Sequence, residues 1–104
     1  MAHPERQPGK RSTDGDLLTW PEAERWELID GVAYDLTPVP STSHQFVSGE
    51  VFRLIANYLI DKPCRVYAAP IDVLLPAGHE DDQDVDTVVE PDSIVVCDPA
   101  KIKE

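Results

Sequence analysis

An aspartate at the start of the most apolar segment of the chain is the residue best placed to do chemistry. Asp92 follows Pro91 and directly precedes Ser93-Ile94-Val95-Val96-Cys97, a segment typical of a β-strand. A carboxylate at the end of such a strand is costly to bury unless it is hydrogen-bonded, protonated or bound to a cation. Asp92 is therefore either a metal ligand at the end of a sheet or a residue whose oxygens accept hydrogen bonds from nearby backbone N–H groups. Glu90 would share a face with Asp92 in an extended segment, although Pro91 between them weakens that expectation.

Two further candidates, His44 and Glu50, lie on a predicted long helix. At about 100° per residue, His44 projects to the same side of this helix as Val47 and Val51. Its imidazole would then face a cleft at the helix end or fill a polar gap in the core. Glu50 lies on the flank of the apolar side, where it would either reach an active-site cation or remain at the surface, as helix carboxylates ordinarily do.

The chain before this helix contains two local signals. Asp30-Gly31 separates two apolar runs, which predicts a β-hairpin, because a type I′ turn needs positive φ at both central residues. Earlier in the chain, Thr19 and Glu22 match a capping box and predict a short helix over residues 21–25.

The long helix is predicted over residues 43–60, with Thr42 and Gln45 as a second capping box. Proline at position 63 ends it. Its apolar residues fall at helical spacing and are expected to form one buried stripe. They are Val47, Val51, Leu54, Ile55, Tyr58 and Leu59.

Strands are predicted over residues 65–69, 71–75 and 93–97. Pro70 and Pro76 place the first two near a sheet edge. The last is apolar almost throughout and is expected to be buried on both faces. A hairpin, a long helix and then several strands predict an α+β (mixed α/β) fold, with one helix packed across a sheet.

Composition indicates one small domain or part of a larger one, since the chain has 104 residues and 41% of them are hydrophobic. Residues 1–16 are polar and are predicted to be a disordered leader, with the domain over residues 17–104. No apolar run approaches the ~20 residues needed to span a bilayer, and the first residues lack an apolar signal segment, so a cytoplasmic location is predicted. Cys64 and Cys97 form no CxxC pair and are predicted to be reduced and buried.

The net charge of −11 bears on possible partners. Phosphates repel an acidic chain unless cations or clustered basic residues intervene. Charge alone therefore argues against binding to nucleic acid, whose partners usually present a basic face.

Four segments, in order along the chain, resemble motifs of the Uma-two family of restriction endonucleases. Residues 26–32 (WELIDGV) resemble its "yELIDGe" hairpin, and residues 38–41 with His44-Gln45 resemble its "sPsP…HQ" lead into a long helix. Residues 69–76 (APIDVLLP) are similar to its "aPfDVrLp" strand, and residues 89–97 (VEPDSIVVC) to its "vvqPDisVvc" strand. The resemblance spans residues 17–102, nearly all of the part of the chain that is predicted to be ordered.

This resemblance implies a restriction-endonuclease-like core of the PD-(D/E)xK class, which hydrolyses phosphodiester bonds of DNA with a divalent metal. Asp92 matches the aspartate of the family's "PD" half-motif, which ligates Mg²⁺, and Glu50 would be at most an accessory carboxylate. Family members continue into a strand with a second acidic ligand and then a lysine. The 104 residues are therefore expected to be the N-terminal part of such a domain, with an incomplete core and weak or no activity alone.

An alternative is a non-catalytic protein-interaction or dimerisation module. The predicted final strand would leave a sheet edge exposed after Cys97, and an exposed edge can pair with another chain or a second copy.

Overall fold

The computed structural model describes residues 4–5, 11–21, 24–36 and 40–103. Its fold is α+β, as the sequence predicts. The elements are β1 (Pro4–Glu5), α1 (Asp14–Leu17), β2 (Trp26–Ile29), β3 (Val32–Asp35), α2 (Thr42–Tyr58), β4 (Arg65–Ala68), β5 (Val73–Leu74), β6 (Val88–Val89) and β7 (Ser93–Val96). Short 3-10 helices span Asp82–Asp84 and Pro99–Lys101.

The chain divides into two compact units, which we name for their main elements. The sheet unit comprises Met1–Val39 and Asp72–Glu90, and the helix unit comprises Pro40–Ile71 and Pro91–Glu104.

The sheet unit is built on the predicted hairpin. Asp30 and Gly31 have φ of 48° and 82°, the positive values that the tight turn requires, and Ile29 pairs with Val32 across it. The antiparallel sheet has the order β1-β3-β2-β6-β5. Strand β5 lies at the edge, in agreement with the prolines that flank its segment.

A small apolar cluster fills the sheet unit. Its buried residues are Trp26, Leu28, Ala33, Val85 and Val88. The Trp20 ring meets the Trp26 ring edge-on, with 5.3 Å between ring centroids, and adds to this cluster. Among the residues that the structure describes, the fully enclosed apolar side chains all belong to this unit.

Order begins earlier than the sequence predicts. Helix α1 starts at Asp14, and Thr13 caps it in a reciprocal capping box with Asp16. Ser12 and Asp14 are buried, so these residues are packed rather than part of a leader; residues 1–3 and 6–10 lie outside the described residues.

The short helix predicted over residues 21–25 is not found at its described positions. Pro21, Glu24 and Arg25 are not helical, and residues 22–23 lie outside the described part of the chain. The Thr19 hydroxyl donates a hydrogen bond to the Asp16 carbonyl at 2.6 Å and so completes the end of α1 instead of starting a new helix.

The helix unit pairs α2 with a two-stranded antiparallel sheet. Strands β4 and β7 align from Arg65 opposite Val96 to Ala68 opposite Ser93, and α2 contacts β4. The helix lies close to its predicted range, but its N-cap is Ser41, whose hydroxyl oxygen accepts a hydrogen bond from the His44 N–H at 3.1 Å. The predicted Thr42–Gln45 capping box is therefore wrong by one position.

The prediction of one buried stripe on α2 is wrong. Ile55 and Leu59 are half-buried, whereas the other four residues of the stripe are exposed: Val47, Val51, Leu54 and Tyr58. Strand β7 is likewise not buried on both faces, since Val95 is exposed. Strands β4 and β7 cover only part of the apolar side of α2. The single helix packs on one face of these strands and does not cover the other face.

The prediction of two reduced cysteines is also wrong, because Cys64 and Cys97 form a disulfide. These residues flank the Arg65–Val96 pair and therefore lie opposite each other at the end of the β4–β7 ladder. The two cysteines are 33 residues apart in sequence, and this separation does not predict that they meet. The register of β4 against β7 brings them together.

Within the described residues, no helix has the length and apolar character needed to cross a membrane.

Candidate functional site

His44 and Asp92 meet in the helix unit. The distance from His44 Nε2 to Asp92 Oδ1 is 3.1 Å, a hydrogen-bonding distance, although 48 residues separate the two in sequence. The side chains are 44% and 59% exposed, so both are open to solvent and to a ligand. Two of the three residues proposed from the sequence thus form one site.

The N-terminus of α2 positions His44. Because the Ser41 hydroxyl accepts its N–H, His44 is held at the third helical position, where its side chain points back along the first turn. The dipole of the helix also favours negative charge near this N-terminus.

The β4–β7 ladder positions Asp92. Ser93 pairs with Ala68, and the next contact along the ladder is a hydrogen bond from the Ala69 N–H to the Asp92 carbonyl oxygen at 3.1 Å. The Asp92 backbone therefore continues the strand, and its carboxylate extends from the strand end towards His44.

The chemistry of the two groups fixes the direction of their hydrogen bond. A carboxylate can only accept a hydrogen bond. The Nε2–H group of His44 is therefore the donor and Asp92 Oδ1 is the acceptor. The bond orients the carboxylate, which retains a second oxygen for another ligand. An imidazole that fixes a carboxylate in this way is typical of the surroundings of a metal ligand.

Glu50, the third residue proposed from the sequence, is engaged elsewhere. Its carboxylate accepts two hydrogen bonds from the Arg53 guanidinium, at 2.9 and 3.2 Å, and these bonds lower the pKa of Glu50. Six residues of helix put Glu50 about 9 Å along the axis from His44 and on another side. The observed contacts place it at the surface with Arg53.

A metal-ligand set of three or more His, Cys, Asp or Glu side chains is not present among the described residues. Asp92 supplies one carboxylate, with His44 beside it. Mg²⁺ is commonly held by one or two carboxylates, with water and substrate phosphate completing its octahedron. One carboxylate beside an imidazole does not form a closed site for a structural metal.

A separate group of carboxylates lies in the sheet unit and was not assigned a role from the sequence. The Glu90 N–H donates to Glu27 Oε2 at 2.8 Å, and Arg25 Nε lies 3.6 Å from Glu90 Oε1, an ion-pair distance. Burial, aided by the charge of Asp72, raises the pKa of Glu90, and Arg25 opposes this shift. Glu90 thus makes its contacts within the sheet unit.

Buried Asp14 belongs to the same acidic surroundings. Burial, followed by the charges of Asp72 and Asp82, raises its pKa, and its Oδ1 has no hydrogen-bond partner. Sequence alone could not identify this group, because Asp14 occupies an ordinary acidic position in the first turn of α1.

The charge of the chain is divided unequally between the two units. The helix unit has five basic and five acidic residues, and the sheet unit has four basic and fifteen acidic ones. The whole net charge of −11 therefore belongs to the sheet unit, and the unit that carries His44 and Asp92 is neutral.

Comparison with known proteins identifies the family of the chain. A search of curated proteins finds no match. The model of the Uma2 (Uma-two) family, described as "Putative restriction endonuclease", matches residues 14–104. That match includes α1 and every later element, and so it contains His44, Asp92 and Glu50. It covers far more than half of the chain. The chain belongs to the Uma2 family of restriction endonucleases.

Proposed function

We propose that this chain is part of a metal-dependent DNA endonuclease of the PD-(D/E)xK type, in which Asp92 is a Mg²⁺ ligand. The observation that carries the proposal is the His44–Asp92 pair at the start of β7. The Asp92 carboxylate is exposed and its hydrogen bond is to a distant side chain rather than to a neighbouring backbone amide. It is therefore available to a cation.

The residues of the chain have distinct parts in this proposal. Asp92 would hold the cation, and His44 orients its carboxylate through the hydrogen bond to Oδ1. The first turn of α2 lies beside them and favours the negative charge of a phosphate. The bound cation would polarise the scissile phosphate and activate water.

The neutrality of the helix unit removes part of the electrostatic objection to DNA binding. The acidic residues that would repel phosphate lie in the sheet unit, and the helix unit contributes Arg53, Lys62 and Arg65 among its five basic residues. DNA is therefore the proposed substrate, bound weakly because no basic excess surrounds the site.

One carboxylate gives a loose metal site, so we expect the 104 residues alone to hydrolyse DNA weakly or not at all. Metal binding is consequently the better test. Mn²⁺ titrated against the ¹⁵N-labelled chain should broaden the imidazole signals of His44 and the backbone amides near Asp92.

Four substitutions separate the roles. Asp92→Asn should abolish the broadening, and His44→Ala should weaken Mn²⁺ binding by roughly tenfold, as loss of a residue that orients a ligand does. Asp61→Asn is the matched control: it removes an exposed carboxylate of the same unit, and Asn tolerates the positive φ of 68° at that position. Unchanged Mn²⁺ binding in Asp92→Asn would overturn the assignment. Glu50→Gln tests the accessory role and should have little effect.

A second candidate function is homodimerisation through a sheet edge. It is favoured because β7, among the described residues, pairs only with β4 and so leaves one edge open. Sedimentation at micromolar concentrations should then show a dimer that dissociates on dilution. A monomer throughout that range counts against this second function and leaves the first unaffected.

A further inference from the structure

We propose that the Cys64–Cys97 disulfide is a redox switch that controls the His44–Asp92 site. The disulfide holds the site together, and reduction by a dithiol releases it. This inference concerns the regulation of the proposed active site and rests on that proposal, but its test requires neither metal nor DNA.

The disulfide and the site lie at opposite ends of one short ladder. Strands β4 and β7 share four residue pairs; Cys64–Cys97 closes the end beyond Arg65–Val96, and the Ala69–Asp92 hydrogen bond closes the other end. Strand β4 also contacts α2, which carries His44. The position of Asp92 relative to His44 thus depends on this ladder staying paired.

The helix unit has little else to keep the ladder paired. The fully enclosed apolar side chains of the described chain all lie in the sheet unit, and α2 has no buried residue. A two-stranded sheet alone is marginally stable at best. A covalent link that closes a loop of this length restricts the unfolded chain and so shifts the balance towards the paired state.

The disulfide is accessible to a reductant. Cys97 is exposed and Cys64 is half-buried, so a thiolate can approach the Cys97 sulfur from solvent. One thiolate of a dithiol attacks that sulfur, breaks the S–S bond and forms a mixed disulfide while Cys64 leaves as a thiolate. The second thiol of the reductant then displaces Cys97. The products are two cysteine thiols and the oxidised, cyclic dithiol, with two electrons transferred.

The two units provide separate spectroscopic signals for the test. Both tryptophans, Trp20 and Trp26, belong to the sheet unit, whereas α2 supplies most of the described α-helix. Tryptophan fluorescence therefore reports the sheet unit, and circular dichroism at 222 nm reports mainly the helix unit. The His44 imidazole signals report the site itself.

Dithiothreitol added to the oxidised chain should lower the thermal midpoint of the helical signal by roughly 10–20 °C. The His44 imidazole signals should move towards those of a solvent-exposed histidine, and the tryptophan transition should stay unchanged. Removal of the reductant and air oxidation should restore the original signals. The Cys64→Ser/Cys97→Ser double variant should match the reduced chain and be insensitive to dithiothreitol.

Two results would overturn the switch. One is alkylation of both cysteines in the unreduced chain, detected by intact mass, which shows that the disulfide does not form. The other is a helical signal and His44 spectrum that reduction leaves unaltered. Reduction of the wild-type chain decides between these outcomes even if the double variant does not fold. Loss of Mn²⁺ binding in both redox states would instead reject the proposed metal site and leave the switch standing.

Discussion

Gly31 is the residue at which the backbone conformation is most demanding. Its φ of 82° is left-handed, and a Cβ there would lie 2.8 Å from the Arg11 Cβ. Arg11 is held in place by its ion pair with Asp86, and the neighbouring Ser12 N–H donates to the Gly31 carbonyl at 2.8 Å. A larger residue at this turn therefore meets a neighbour that cannot easily withdraw.

Gly31→Ala is accordingly expected to lower the free energy of unfolding of the sheet unit by about 1–3 kcal/mol, through backbone strain and the clash with Arg11. Gly49→Ala is the matched control. It lies within α2 and its added Cβ meets nothing within 4 Å, so it should stabilise the helix by up to about 1 kcal/mol. Urea denaturation followed by tryptophan fluorescence and by circular dichroism measures both. Similar effects from the two substitutions would contradict this account of the turn.

Sequence patterns point to individual candidate residues but not to the contacts between them. Asp92 is a candidate because it is a carboxylate at the start of an apolar strand, and His44 because of its place in the first turn of a helix. Their hydrogen bond could not be foreseen, since it depends on how α2 and the β4–β7 ladder pack. The same register determines the disulfide. The roles of Asp92, His44 and Glu50 in metal binding and catalysis remain predictions.

At the scale of elements, local signals predict type and approximate position. The Asp30-Gly31 turn and the long helix are found, because each depends on contacts between near neighbours. The predicted strand segments also contain strands, although β4 and β7 pair across a long sequence separation. The N-cap of α2 is Ser41, one residue before the predicted N-cap Thr42. Ser41, Thr42 and Ser43 are all polar residues with hydroxyl groups, and sequence alone gives no reason for the choice of Ser41.

Two substitutions at the start of α2 distinguish the observed cap from the predicted one. Ser41→Ala should destabilise the helix unit by about 1 kcal/mol, because the His44 N–H loses its acceptor. Thr42→Ala should have little effect, since alanine is well suited to the first helical position. Thermal denaturation followed at 222 nm compares them. A greater loss in Thr42→Ala would restore the cap predicted from the sequence.

The apolar pattern of α2 predicted a helix correctly but overestimated its burial. Periodicity shows which residues share a side of a helix, and it does not show how much of that side a partner covers. In the helix unit the partner is two strands wide, so Ile55 and Leu59 are half-buried while Leu54 and Tyr58 remain exposed.

A pair of leucine substitutions measures this difference in burial. Leu28→Ala removes a fully enclosed side chain from the sheet-unit core and should cost about 2–5 kcal/mol. Leu54→Ala removes a side chain that is 59% exposed and should change stability by about 0.5 kcal/mol or less. Urea denaturation of each variant provides the comparison. A cost above about 2 kcal/mol for Leu54→Ala would show that the stripe is buried in solution.

At the scale of the whole molecule, the chain combines an acidic unit that contains the enclosed apolar core with a neutral unit that contains the candidate site. Net charge counted over the whole sequence hides this division. It suggested a chain poorly suited to nucleic acid, whereas the acidity belongs to the unit without the His44–Asp92 pair. Where the charge lies depends on which segments fold together, and the sequence does not give that.

The acidity of the sheet unit should make its stability depend on pH. Burial raises the pKa of Asp14 and Glu90 above their ordinary values of 3.8 and 4.5, so both bind protons more tightly when folded than when unfolded. Their contribution is fully present below those ordinary values and is lost as pH rises through the raised folded pKa. Burial also raises the pKa of Asp72, which therefore contributes in the same direction. Backbone hydrogen bonds, the first from the Ala77 N–H, lower the pKa of Glu80, but solvent screens this surface group.

The sheet unit is therefore expected to lose stability as pH rises from about 4 towards 7, as measured by urea denaturation followed by tryptophan fluorescence. Asp14→Asn should reduce this dependence, because asparagine cannot ionise in the buried position whose Oδ1 has no partner. Asp84→Asn, at an exposed position of the same unit, should leave the slope of stability against pH nearly unchanged. Stability that rises steadily from pH 5 to 7 would contradict this expectation. It would mean that ion pairs such as Arg11–Asp86 and Arg25–Glu90, rather than the buried carboxylates, determine the pH dependence of the stability of the sheet unit.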